Sequence, residues 1–322
     1  MEVQLAAVSG PCERFTRKTF DSMLKSIFRR IAAAIGLAGL LVATPSAAKA
    51  PPAAHPALWK LSDSDTTIYL FGTIHLLPEQ YQWRTAKFNQ AVESSQQLIV
   101  ETIVDPDHPQ DFAAAFAQLA LSPTPLPPIV DRVSPGKRAA LEAALAKIHA
   151  NPAQLDRVKT WAVGFQLLGL QFAQLGLQGQ EGPEIVLRKE FAADHKPVDE
   201  LETIRQQLSF FDGLSEKAQR DFLEGVLDSP QAMAKEFGAM LSSWSRGDVP
   251  MIATVFNADL SGSPELANAM VARRNANWSK WIEQRMAQPG TIMVAVGAGH
   301  LAGKGSVIAM LEKDGYRVRR VQ

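Results

Sequence analysis

Apolar and polar positions first fall into a pattern with period two. Residues 58–62 and 66–71 are short β-type runs on either side of Asp63-Ser64-Asp65, and predict a hairpin. Gly72-Thr73-Ile74-His75 follows the second run directly. The spacing then becomes helical over 84–96, with Phe88 and Val92 on one face. Leu98-Ile99-Val100 is an apolar strand that stops at Glu101. Helical spacing dominates the middle, over 111–120, 135–150, 154–175, 184–194, 203–211, 215–228, 230–246 and 265–286. A proline-rich break at 122–129 separates the first two of these, and 196–198 reads as a short strand. Residues 291–296 are apolar throughout and run straight into Gly297-Ala298-Gly299-His300. A helix over 306–313, closed by Gly315, and a strand over 316–321 complete the pattern.

Strand-rich ends around a helical middle imply an α/β (α+β) fold. A single central mixed β-sheet is assembled from the N- and C-terminal segments, and the middle is a large helical insertion that covers it. No boundary between two independent domains is visible, so 58–322 is expected to be one domain.

The segment ahead of it has a different character. Lys25, Arg29 and Arg30 precede an apolar run over 31–42, and Thr44, Pro45, Ser46, Ala47 and Ala48 follow. A basic start, about a dozen apolar residues and small residues beyond are the pattern of a secretory signal peptide, here assigned to 1–50. The run is short for a bilayer span, and an uncleaved anchor helix is the alternative. Residues 1–22 are long and partly acidic for such a leader, so Met23 is the expected start. Cleavage would leave a periplasmic or secreted protein with no stable membrane anchor. Residues 51–57 are a Pro/Ala linker, expected to be extended or disordered.

Composition narrows the chemistry. The single cysteine, Cys12, lies in the leader. The mature chain therefore has no disulfide framework, no thiolate ligand and no cysteine nucleophile. Beyond residue 50 there are 26 basic and 30 acidic side chains, a net of about −4. No concentrated basic face points to nucleic acid. No Gly-x-Ser-x-Gly elbow, phosphate-binding loop or dinucleotide fingerprint occurs.

What remains is a pair of matching motifs. Each of Gly72-x-x-His75 and Gly297-x-x-His300 follows an apolar strand. Glycine permits departure at positive φ and close passage of other backbone. Ligands of open α/β sheets lie beyond the carboxyl ends of the strands, and Glu101 ends its strand in the same way. A buried carboxylate there is costly unless it is paired or bound to a metal. Two imidazoles and a carboxylate suit a divalent ion such as Zn, Mn, Co or Fe, with a position left for water and hydrolysis as the chemistry. One such histidine alone is ordinarily a structural hydrogen-bonder; the repetition, with Glu101 between, favours a site. His55, His108, His149 and His195 fall in the linker, a loop and helix ends, and are expected to be structural or solvated.

The segment 58–78, LWKLSDSDTTIYLFGTIHLLP, resembles the opening of the TraB/GumN family, which includes the animal Tiki metalloproteases. The blocks DELETIRQQLSFFDGLS (199–215), VARRNANWSKWIEQ (271–284) and VAVGAGHLAGKGSVIAMLEKDGYRVRRV (294–321) are similar to it in the same order. The resemblance implies a fold related to erythromycin esterase-like and haem-uptake lipoproteins, and a metal-dependent centre. Its paired motifs fall on Gly72, His75, Gly297 and His300, its glutamate on Glu101 and its arginine on Arg274. That arginine would hold a substrate carboxylate or a developing oxyanion; without the family context it reads as a surface helix residue. Glu202 matches the Leu-Glu-Thr block. It is read first as a helix-start acid favoured by the dipole, and alternatively as a partner of the site. Glu184 stands where relatives often carry Asp after Gly. The expected function is an exported metal-dependent hydrolase, a peptidase, acting on a peptide or other small exported substrate. A non-catalytic periplasmic protein that binds haem, metal or peptide is the alternative, as is an auxiliary role in exopolysaccharide production. Oligomeric state is left open.

Overall fold

The expected hairpin is present. In the computed structural model, which describes residues 54–105, 107–175, 182–227, 230–260 and 262–322, β1 (Leu58–Ser62) pairs antiparallel with β2 (Thr66–Thr73). Asp63 Oδ1 closes the turn by accepting from the N–H groups of Asp65 and Thr66, at 3.1 and 2.8 Å. The expected leader lies outside the described residues.

The remaining strands are β3 (Gln97–Val100), β4 (Val198–Glu200), β5 (Gly290–Gly297) and β6 (Val318–Arg320). They form one mixed sheet in the order β4-β3-β5-β2-β1-β6. β2, β5, β3 and β4 run parallel, and β1 runs against its neighbours β2 and β6. The sheet does come from both ends of the chain, with one correction: the edge strand β4 is supplied by the helical middle.

β5 explains its own composition. Ile292, Val294 and Val296 are buried on one face, Met293 and Ala295 on the other. A parallel strand covered on both sides reads as a continuous apolar run rather than an alternation. Each fully buried side chain of this size contributes about 1.5–3 kcal/mol.

The helices are α1 (Ala86–Ser94), α2 (Pro109–Ala120), α3 (Arg138–Lys147), α4 (Thr160–Gln174), α5 (Pro183–Ala193) and α6 (Ile204–Asp212). They continue as α7 (Glu216–Val226), α8 (Pro230–Ser245), α9 (Val249–Leu260), α10 (Pro264–Ala267), α11 (Arg273–Met286) and α12 (Val307–Lys313). Phe88 and Val92 of α1, Leu187 and Phe191 of α5, Trp244 of α8 and Ile252 of α9 cover one face of the sheet. Trp278, Ile282 and Met286 of α11, with Val307 and Leu311 of α12, cover the other. Among the described residues no helix is long and apolar enough to cross a membrane.

Three local expectations need correction. α9 was not anticipated. The helix expected over 265–286 is interrupted by a π-helical turn, Asn268–Ala272. Residues 54–57, expected to be part of a loose linker, are packed: Ala54 and Ala57 are buried, and His55 N–H donates to Ser245 O at 2.6 Å.

Candidate active site at the strand ends

Four parallel strands finish at one rim, and each delivers a polar side chain there. β2 ends at Thr73, opposite Gly297 of β5, and His75 follows two residues later. β3 ends at Val100, opposite Ala295 of β5 and Glu200 of β4, and is followed by Glu101. Beyond β4, Glu202 N–H donates to Glu101 O at 2.9 Å. The ladder thus continues past the strands and sets the two glutamates side by side. His300 lies in the short 3-10 turn Ala298–Leu301 that leaves β5.

The motif glycines are required for close approach, not for positive φ. Among the described residues the positive-φ glycines are Gly247, Gly290, Gly303 and Gly315. A methyl group on Gly72 would meet the backbone of Ala298 at 3.1 Å. One on Gly297 would lie 3.1 Å from Glu101 Oε1, 3.5 Å from His300 Cδ2 and 3.7 Å from His75 Nε2. That single point locates the site: both imidazoles and the carboxylate converge on the space over Gly297.

Each donor is oriented by a partner. His75 Nδ1 is 2.7 Å from Glu184 Oε1, and Glu184 also accepts from the Thr73 hydroxyl. His75 Nε2 is left facing the rim. His300 Nδ1 is 2.6 Å from Asn275 Oδ1, while Arg274 Nη1 lies 3.2 Å from His300 Nε2. Since the guanidinium can only donate, His300 is the neutral tautomer with its proton on Nδ1. Glu101 Oε1 accepts from Gly297 N–H at 2.6 Å and lies 3.8 Å from His300 Nε2.

Arg274 is 4% exposed, the reverse of the surface position read without the family context. It donates from Nε to Glu202 and from Nη2 to Glu101, both at 2.9 Å, and from Nη1 to Met270 O at 3.2 Å. Its guanidinium stacks over Trp278 at 4.6 Å. Glu202 is not a helix-start acid: Thr203 caps α6, and the buried Glu202 carboxylate accepts from Arg274 and from Trp278 Nε1 at 3.0 Å. Of the two roles read from the sequence, the geometry is that of a site partner.

The electrostatics follow from burial and these contacts. Burial opposes ionisation of Glu101, but His300, Arg274, His75 and the Gly297 N–H hold its carboxyl down at about 2. Burial pushes Glu202 up against the pull of Arg274. Burial pushes the His300 imidazole down to about 4. Glu184 raises His75, whose side chain is 64% open to screening water.

Burial of the neutral His300 imidazole makes folding stability depend on pH. Unfolded His300 takes up a proton near pH 6.5 and folded His300 only near 4. The unfolded state therefore binds more protons in that window, and stability drops as the pH is lowered through it, by roughly 3 kcal/mol. Glu101 extends the loss below its unfolded value near 4.5. Denaturant midpoints at pH 7, 5.5 and 4 measure this, and a flat profile above pH 4 refutes it. His300→Gln should abolish that part of the slope.

The donor set fits a divalent cation in kind. His75 Nε2 and Glu101 Oε1 face the space over Gly297 and His300 Nε2 lies 3.8 Å from Glu101 Oε1 with Arg274 against it, while the far nitrogen of each ring is fixed by Glu184 or Asn275, an arrangement typical of metal-ligating histidines. Among the described residues, no group of three or more His, Cys, Asp or Glu is close enough to hold an ion as it stands. Of the remaining histidines, His108 bonds Asp105 at 2.8 Å, and His149 and His195 take left-handed conformations at helix ends. Trp83, Trp161 and Trp278 are core residues. Asn275 and Gln207 carry no ligand signal of their own in the sequence, although they stand within the family-like segments 271–284 and 199–215. The sequence leaves the role of Glu184 open.

Fold and site together define an α/β protein with a buried His/Glu/Arg cluster at the carboxyl ends of parallel strands. Residues 57–320 match the model of the TraB/PrgY/gumN family, and the chain belongs to that family. It is 26% identical over 244 residues to uncharacterized protein YbaP of Escherichia coli K12, covering 76% of this chain and 87% of that protein. The same values hold for YbaP of Shigella flexneri. It is 27% identical over 151 residues to a metalloprotease TIKI homolog of the sponge Amphimedon queenslandica, covering 39% of this chain and 30% of the relative. No solved structure matches the chain.

Proposed function

We propose that this protein is an exported, divalent-metal-dependent hydrolase that acts on peptides. The observation that carries the reading is the convergence of His75 Nε2, His300 and Glu101 Oε1 over Gly297. The similarity to a protein described as a metalloprotease supports the reaction class. The leader pattern in 1–50 supports export.

His75, His300 and Glu101 would hold the ion. When bound, it polarises a carbonyl and lowers the pKa of water. Glu184 and Asn275 keep the two imidazoles turned toward the rim. Arg274 keeps Glu101 ionised and oriented, and places a fixed positive charge beside the space where an oxyanion would develop. Burial of Glu101, Glu202, Arg274 and His300 keeps bulk water from screening these charges.

One observation favours a binding protein whose ligand is a peptide rather than an ion: Arg274 Nη1 sits on His300 Nε2, the nitrogen that a metal would need. Turnover separates the two. Purified mature protein loaded in turn with Mn, Co, Zn or Fe(II) is incubated with a mixed peptide library, and products are read by mass spectrometry. Cleavage with about one ion per chain is expected. Stoichiometric binding without products under all four metals would replace the hydrolase by a binding protein.

A further inference from the structure

Beside the buried cluster lies a small apolar hollow of about 50 Å³. Its walls are Ile204, Leu208 and Phe211 on one stripe of α6, with Phe112 of α2 and Phe165 of α4 opposite. Phe165 meets Phe112 at 6.1 Å and Phe211 at 5.8 Å between ring centroids, which fixes the far side.

The near side is the candidate site. Gln207 lines the hollow, and its Nε2 lies 3.4 Å from Glu101 Oε2 and 3.5 Å from Glu202 Oε2. Thr102, which also lines it, is the residue after Glu101. The hollow is therefore continuous with the rim where the strands end. Within α6 the spacing 204, 208, 211 gives an apolar face, and Gln207 is the polar position that joins this face to the carboxylates.

We propose that this hollow is a specificity pocket for an unbranched or γ-branched aliphatic side chain, leucine or methionine, of a peptide whose backbone crosses the rim beside Glu101. The inference deepens the hydrolase reading and rests on it for the identity of the occupant as a peptide. The largely apolar walls exclude a carboxylate, because no cationic side chain is among those lining the hollow and the Glu101 and Glu202 carboxylates stand at its near side. The volume exceeds the 10–15 Å³ that one water requires and falls well short of the roughly 150 Å³ cavity that takes a benzene ring, so it admits the end of an aliphatic side chain and not an aromatic ring. A pocket of this kind discriminates by roughly tenfold to a hundredfold between a fitting aliphatic group and a poor one.

The test uses two pentapeptide amides that differ only in a central leucine or aspartate, with a third carrying phenylalanine there for the enlarged pocket. Binding to the full mature protein is measured by calorimetry, and cleavage by mass spectrometry in the presence of Mn. The leucyl peptide should bind at least about tenfold more tightly. Leu208→Trp, which fills the hollow, should reduce that preference to less than about threefold. Phe165→Ala, which enlarges it, should shift the best central residue from leucine toward phenylalanine, and carries the test if the tryptophan variant does not fold. Equal binding of the two peptides, or a preference unchanged by the folded variants, overturns the pocket. Leucine-selective binding without products overturns the hydrolase reading and leaves the pocket standing. Cleavage without leucine preference does the reverse.

Discussion

Replacing Arg274 with methionine should cost about 3–5 kcal/mol of folding stability at pH 7.5, the usual consequence of removing one partner of a buried ion pair. The guanidinium lies between Glu101 and Glu202, both almost fully buried, and bonds each at 2.9 Å. Without it, two neighbouring carboxylates retain only the Gly297 and Trp278 N–H groups and the long contacts to Gln207. Like charges at that spacing in a dry site favour protonation. Glu101 should then rise above its unfolded value near 4.5, and Glu202, already raised by burial, should rise further. The native variant would bind more protons than the unfolded chain in that window, so its deficit should shrink as pH is lowered toward 5. This slope is opposite to that of the His300 contribution in the parent protein. Guanidinium unfolding at pH 7.5 and 5 measures both, and Glu202→Gln in the Arg274→Met background should recover part of the loss. An Arg274→Met protein with the parent midpoint would show that the network is not the anchor described.

The two motif histidines should fail differently. His75→Ala and His300→Ala are each expected to lower bound divalent metal and turnover by at least about a hundredfold, since even outer partners of metal ligands cost 10–100-fold. Their stabilities should diverge. The His75 side chain is 64% exposed, so its loss should shift stability by no more than about 0.5 kcal/mol. His300 is buried, 4.5 Å from the Trp278 ring, with Asn275 Oδ1 bound to it. Its truncation leaves a void and an unsatisfied acceptor, and should cost roughly 2–3 kcal/mol. Elemental analysis and thermal melts on the same preparations settle the matter. Unchanged metal stoichiometry in both variants would remove the metal-site proposal.

The legible parts of the molecule were those where a single period held over a whole element. β2, β3 and β5 are apolar runs with abrupt polar ends, so the positions of His75, Glu101 and His300 on one rim could be read from order alone. α9 could not. The β-branched Val249, Ile252, Thr254 and Val255 give its sequence weak helical preference, and its form is set by packing through Ile252 and Phe256. Arg274 was obscured for a related reason. The π-helical turn at Asn268–Ala272 breaks the phase of the long helical segment, and only beyond it do Arg274, Asn275, Trp278 and Ile282 share a buried face while Arg273 faces solvent. Glu202 and Glu184 could not be placed because their partners, Arg274 and His75, lie far away in sequence.

The sheet order has a consequence for how the chain must assemble. β5 is the strand that holds β2 and β3 in one sheet, and it is contributed by residues 290–297. Nearly the whole polypeptide must therefore be available before its middle strand can dock. Such long-range closure is entropically slow. During that interval the edges of β2 and β3 present unpaired amide groups and apolar side chains to any other chain nearby. A polypeptide of this topology depends on rapid completion of synthesis to escape aggregation before the rim exists.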